Sequence, residues 1–258
     1  MQSLIKRLLW VTLPFTVFGV SSPSFANTVP SIDQLVSQLE QVTQVPILFP
    51  DAIPQMAETY VNGHATANGY ALNFDYTSTC NGSTACHFGG ISAEGNESLA
   101  VPEPRPGRDA IEPVELADGS RGYFVNTCGA YCTAVVTWES EGVLYQVHIK
   151  NGRQDEVLEL ANSAILAGAR TTTTAQEFIP SGTAVLLSRE YQSPINIRDG
   201  ASTTADIQHI GYSWDRIELL DRTIGDDGVY WYQIQFPESG AMGWVRGDFV
   251  AIDLNHVR

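Results

Sequence analysis

Apolar residues recur along the chain with two different spacings, and each spacing predicts a type of element. Near residue 30 the spacing is helical, which predicts a helix capped by Ser31 and buried through Ile32, Leu35, Leu39 and Val42. From Tyr70 to Thr77 apolar and polar residues alternate, as in a half-buried strand. Residues 111–150 contain four strand-like runs separated by turn signals, and Asp155 to Ala167 has a helical stripe. This order predicts an α+β domain over residues 27–170, an antiparallel sheet with flanking helices.

The second part of the chain has a different pattern, with short strand-like runs and frequent turn residues. A polar stretch over residues 171–181 has no periodicity and is interpreted as a linker. Five short runs follow within residues 182–258: Ala184–Leu187, Ile195–Arg198, Ile217–Asp221, Tyr230–Gln235 and Gly243–Val245. Such closely spaced short strands predict a second, all-β domain in the form of a small barrel.

Three segments of this second part resemble the bacterial SH3 domain family. They are the run Asn196-Ile197-Arg198-Asp199-Gly200-Ala201-Ser202-Thr203, the strand Trp231-Tyr232-Gln233-Ile234, and Gly243-Trp244-Val245 with Phe249-Val250. The resemblance covers residues 182–253 and departs from the family at Trp214 and at Pro237 to Met242. It implies an SH3-like barrel, and a role in binding peptidoglycan stem peptides or an envelope protein.

The N-terminus has the pattern of a secretory signal peptide over residues 1–26. Lys6 and Arg7 precede an apolar run from Leu8 to Val20, which is shorter than the roughly 20 residues of a membrane span. Ser24 and Ala26 are small residues at the positions before a cut at Asn27. We therefore expect a periplasmic or secreted protein with no membrane insertion after cleavage. An uncleaved N-terminal anchor is the alternative.

The charge balance excludes some partners. The chain has 14 Lys and Arg against 29 Asp and Glu, a net charge of −15. Nucleic acids and anionic membranes are bound by clustered basic residues, so we expect neither as a partner. The acidity by itself selects no positive partner, since acidic surfaces also confer solubility.

All four cysteines lie within residues 27–170, and an even number in an exported protein predicts disulfides. We expect the local pairing, Cys80 with Cys86 and Cys128 with Cys132, while a pairing between the two loops stays open. A metal site that includes His87 is the sharper alternative, but the cysteine spacings differ from those of structural zinc sites. We therefore expect no metal and no cofactor.

No catalytic motif is recognisable in the sequence. The histidines are scattered, and His148 is interpreted as a surface or structural residue of a strand. There is neither a nucleophile elbow nor a phosphate-binding glycine loop, so no catalytic residue is assigned and enzyme activity stays open.

Aromatic residues of the second part are the candidate ligand-binding residues: Tyr212, Trp214, Tyr230 and Tyr232. Trp214 is the leading candidate because it lies in a predicted loop. The favoured function is that of a non-enzymatic envelope protein whose SH3-like module binds cell-wall peptide or a protein partner. The alternatives are a wall or extracellular polymer hydrolase with its site in residues 27–170, and a purely structural role.

Overall fold

The structure is a computed structural model that describes residues 32–51, 53, 59–80, 83–102, 109–170, 182–190 and 192–257. The predicted signal peptide 1–26 with its cleavage position, and the predicted linker 171–181, lie outside these residues. Both therefore stay predictions.

The described residues of the first part of the chain form two helices and seven strands. Helix α1 spans Ile32–Val42, and strands β1 to β3 span Tyr60–Thr66, Gly69–Asp75 and His87–Gly95. An antiparallel meander follows, with β4 at Asp109–Glu115, β5 at Arg121–Cys128, β6 at Cys132–Ser140 and β7 at Val143–Lys150. Helix α2 at Gln154–Ala167 closes this part. The two predicted helices and the predicted four-strand meander are confirmed.

The second part, where it is described, contributes seven more strands. Strands β8 to β11 span Gly182–Leu186, Ile195–Arg198, Ile207–Gly211 and Arg216–Ile224. Strands β12 and β13 span Tyr230–Gln235 and Met242–Arg246. A single 3-10 turn at Gly247–Phe249 leads into β14, Val250–Val257.

The predicted fold class, an α+β domain followed by a separate SH3-like barrel, is wrong. All fourteen strands form one antiparallel sheet in the order β10-β9-β13-β12-β11-β8-β14-β1-β2-β3-β7-β6-β5-β4. Two helices accompany this sheet among the described residues. The architecture is therefore dominated by a single large sheet that passes through both parts of the chain.

Strand β14 is the reason for the difference. One of its edges pairs with β8, where Val250 lies opposite Leu186. Its other edge pairs with β1, where Ile252 lies opposite Ala65. Strand β14 therefore lies between a strand of the second part, β8, and a strand of the first part, β1. This position joins both parts in one sheet.

Two hydrophobic clusters nevertheless remain distinct. The larger cluster lies between the helices and the sheet and includes Leu35, Leu39, Leu72, Trp138, Tyr145, Leu160 and Leu254. The smaller lies within the second part and includes Ile195, Ile197, Ile217, Tyr232, Ile234 and Val245. Ile252 of β14 packs against both. The boundary between residues 27–170 and 182–258 stays a prediction.

Candidate functional site

Strand β10 forms one end of the sheet. Among the described residues it pairs with β9 and with no other strand, so the backbone groups of its second edge have no partner strand. The strand at the opposite end, β4, carries Pro113, Glu112 and Glu115, which are residues that discourage pairing with another chain. In contrast, β10 has the sequence Ile-Gln-His-Ile-Gly, with neither proline nor a carboxylate or ammonium group. Among the described strands none pairs with this edge, and its sequence has no feature that would oppose an additional strand.

Exposed apolar side chains accompany the open edge. A register shift lies between Ile207 and His209, with Ile207 opposite Arg198 and Ile210 opposite Asn196. Since Asn196 and Arg198 are two residues apart in β9, the shift places Ile207 and Ile210 on the same face of the sheet. Ile207 is 51% exposed and Ile210 is 45% exposed. These two residues, with Tyr212 and Trp214 of the following turn, are called the β10 edge patch.

The turn after β10 presents Trp214 in an unusual conformation. Its φ angle is 77°, in the left-handed region that large side chains rarely occupy, while its side chain is 71% exposed. Three hydrogen bonds hold the turn: the Trp214 amide donates to the Leu186 carbonyl at 2.7 Å, the Asp215 amide to the Tyr212 carbonyl at 3.1 Å, and the Tyr212 amide to Asp215 Oδ2 at 2.8 Å. The surrounding structure thus imposes a strained backbone that presents a large ring to solvent.

The four predicted ligand-binding residues divide into two pairs. Tyr212, 49% exposed, and Trp214 lie together in the exposed turn. Tyr230 is half-buried on β12, where the Arg222 guanidinium lies 4.4 Å from its ring centroid. Tyr232 is fully buried in the smaller hydrophobic cluster. The structure therefore brings Tyr212 and Trp214 together and places Tyr230 and Tyr232 away from that patch.

The cysteines form the two local disulfides that were predicted, Cys80–Cys86 and Cys128–Cys132. All four cysteines are bonded, so none supplies a thiolate nucleophile. Disulfides are typical of proteins that fold in an oxidising compartment, such as the periplasm or the cell exterior. In the described part of the chain, no helix has both the length and the apolar character that a membrane crossing requires.

A polar cluster that sequence reasoning missed lies on the sheet face opposite the helices. Asp75 Oδ1 lies 3.0 Å from His87 Nδ1, and His87 Nε2 lies 3.1 Å from His148 Nε2. The Asp75 carboxylate is buried and also accepts a hydrogen bond of 2.5 Å from Asn62 Nδ2. Burial, with a smaller contribution from the neighbouring His87, lowers the pKa of His148 to about 4. We call Asp75, His87 and His148 the histidine cluster.

Alternation along β7 shows that His148 points away from the core residue Val147. What the sequence does not show is that β3 pairs with β7, with Gly90 opposite His148. Three strands lie between β3 and β7 in the chain, so no local pattern indicates that His87 and His148 meet. The interpretation of the histidines as scattered is corrected by this pairing.

A cavity of about 740 Å³ lies where the two parts of the chain meet. It is lined by polar and apolar residues of β1 to β3 on one side, and by residues 187–190, Ser193, Pro194 and the end of β13 on the other. Both of its arginines form ion pairs: Arg189 contacts Glu94 of the lining and the nearby Glu97, and Arg246 contacts Asp248 at 2.9 Å. Burial raises the pKa of Asp248 above its ordinary value. These ion pairs fit a role for the cavity walls in joining the two parts.

Comparison with known proteins gives no relative: no family model, no curated protein and no solved structure matches this chain. The resemblance to the bacterial SH3 domain family therefore stays a prediction.

Proposed function

We propose that this protein is an exported, non-enzymatic binding protein of the cell envelope that takes up an extended peptide along the open edge of β10. The observation that carries the proposal is the combination of an unpartnered, uncharged edge strand with the exposed, conformationally strained Trp214. Export is supported by the signal-like N-terminus and by the two disulfides.

Strand addition explains why an edge and an apolar patch occur together. An added strand takes its affinity from main-chain hydrogen bonds to the edge, and its specificity from the side chains that flank it. Ile207 and Ile210 offer an aliphatic face beside that edge. Tyr212 and Trp214 offer aromatic contacts with little loss of side-chain freedom on binding.

The favoured occupant is a segment of an envelope protein. Strand β10 offers an edge of five residues, which suits an extended segment of similar length with aliphatic or aromatic side chains. A peptidoglycan stem peptide is the second possible occupant, and the experiment below separates the two.

The experiment uses the secreted full chain and two probes, purified peptidoglycan and a phage-displayed library of short linear peptides. We expect the library to yield peptides with apolar residues, and Trp214→Ala to weaken their binding about 30-fold, as for a binding hot spot of about 2 kcal/mol. Ile210→Lys places a charge beside the edge and is expected to weaken binding as well.

Leu166→Ala is the matched control, because Leu166 is 74% exposed on α2, and α2 contacts β6 and β7 near the opposite end of the sheet from β10. It should bind like the wild type. Retention on peptidoglycan alone, lost in Trp214→Ala, would assign the stem peptide as the occupant. Peptides that bind Trp214→Ala and Ile210→Lys as tightly as the wild type would refute the proposed site.

A further inference from the structure

We propose that His87 and His148 form a binding site for a divalent late transition-metal ion, Zn²⁺ or Cu²⁺, which both histidines ligate through Nε2. The two Nε2 atoms lie 3.1 Å apart on adjacent strands, His87 at the start of β3 and His148 near the end of β7. Imidazole nitrogen is a preferred ligand of both ions.

The separation of the two nitrogens matches that of two ligands on one ion. Zinc–nitrogen bonds of 2.0–2.1 Å at a tetrahedral angle place two ligand nitrogens ~3.3 Å apart. The rings are tilted by 40° to each other, and their centroids lie 5.3 Å apart. With its own proton on Nδ1, His87 Nε2 accepts a hydrogen bond from His148 Nε2 in the metal-free protein. Binding an ion therefore requires the His148 proton to move to Nδ1 and the two rings to rotate, so that both Nε2 lone pairs point at the ion.

Asp75 holds His87 in the protonation form that binding requires. Its carboxylate accepts the Nδ1 proton of His87, as the hydrogen-bond pattern assigns it, and this leaves a lone pair on Nε2. A carboxylate behind a ligating histidine is the usual outer partner at protein metal sites, where it fixes the tautomer and the ring orientation. Asn62 in turn holds the second oxygen of Asp75.

The backbone around the pair leaves room for the rings and restrains them. Opposite His148, residue 90 is a glycine, and a Cβ there would lie 2.8 Å from His148 Cε1 and 2.4 Å from the Leu72 carbonyl oxygen. The Cys80–Cys86 disulfide ends one residue before His87, and the Cys86 carbonyl accepts a hydrogen bond of 2.8 Å from the Tyr76 amide.

The site offers two protein ligands and leaves the remaining positions to water or a small anionic ligand. No group of three or more His, Cys, Asp or Glu side chains is arranged around a metal position in the part of the chain that the structure describes. An ion held by two residues exchanges with its surroundings, unlike the closed four-ligand sites that maintain a fold.

The histidine cluster is separated from β10 by many strands of the sheet, so this proposal is independent of peptide binding.

The first test is electron paramagnetic resonance of the secreted full chain with one equivalent of Cu²⁺. We expect one ion per chain, with superhyperfine splitting from two imidazole nitrogens. Calorimetric titration with Zn²⁺ should give the same stoichiometry. A wild-type spectrum with a single nitrogen ligand would overturn the proposal. So would the absence of binding of either ion to the wild type at millimolar concentration.

Variants assign the ion to this site. His87→Gln and His148→Gln should each abolish the two-nitrogen signal and the Zn²⁺ heat, while circular dichroism confirms folding. His64→Gln and His209→Gln are the matched controls and should leave both signals intact. Asp75→Asn should weaken affinity about 10- to 100-fold with unchanged stoichiometry, as for other outer partners of metal-bound histidines. Equal binding by the controls and by the cluster variants would place the ion elsewhere and refute the assignment.

Discussion

Acid should destabilise the protein through His148, and His148→Gln should remove this sensitivity. Burial, with a smaller contribution from electrostatic repulsion by His87, lowers the pKa of His148 from 6.5 to about 4. The His148 ring faces the His87 ring, and the Asp75 carboxylate contacts the far side of His87. The folded protein therefore keeps His148 neutral in a pH range where the unfolded chain is protonated.

The sign and size of the effect follow from the two pKa values. Because the unfolded chain binds the proton first, the stabilisation is complete above pH 6.5 and is lost as the pH falls to about 4. A shift from 6.5 to about 4 corresponds to at most about 3–4 kcal/mol at ~1.4 kcal/mol per pH unit. Since the ring is not fully buried, we expect about 1–2 kcal/mol.

The assay is urea unfolding of the wild type and of His148→Gln at several pH values between 4 and 7.5. Other groups titrate in both proteins, so the difference between their free energies of unfolding isolates His148. We expect this difference to change by about 1–2 kcal/mol over the range, with the wild type losing more stability in acid. Parallel pH profiles would show that His148 is not held neutral by its surroundings and would refute the reasoning.

Three further predictions concern the fold. Trp214→Ala should change the free energy of unfolding by no more than about 0.5 kcal/mol, whereas Trp231→Ala, at a fully buried ring, should cost about 3–5 kcal/mol in urea unfolding. Replacing Cys128 and Cys132 together by serine opens a short loop and should cost about 2 kcal/mol, and peptide mapping of the wild type under non-reducing conditions should find no free thiol. Leu254→Ala should cost about 2–4 kcal/mol, because β14 contributes Leu254 to the larger hydrophobic cluster. A change below about 1 kcal/mol would mean that β14 is not part of that core.

Local periodicity predicts the elements whose partners are close in sequence. The stripe of Leu35 and Leu39 predicts α1, and the alternation within residues 111–150 predicts the meander, because consecutive antiparallel strands need only short turns. Similarly, two closely spaced cysteine pairs suffice to predict the local disulfides. In each case the sequence distance is only a few residues, so the pattern and the contact lie in the same window.

Long-range pairing is what the sequence cannot show. Nothing in the sequence of residues 250–257 indicates that this strand pairs with β1, which lies about 190 residues earlier in the chain. The β3–β7 pairing that creates the histidine cluster is hidden for the same reason. The alternation of buried and exposed residues along a strand also fails on β12, where the neighbours Trp231 and Tyr232 are both buried. Tyr232 lies in the smaller hydrophobic cluster, and the Trp231 indole donates a hydrogen bond of 3.1 Å to Asp227 of the neighbouring turn.

Hydrogen–deuterium exchange of the full chain with a selected peptide tests the peptide-binding proposal most directly. Strand addition pairs the outward amides of β10 with the peptide, so the segment from Ile207 to Trp214 should exchange more slowly when peptide is bound. The other edge strand, β4, should exchange at the same rate with and without peptide. Protection confined to the cavity between the two parts, with no change in β10, would contradict the proposed function.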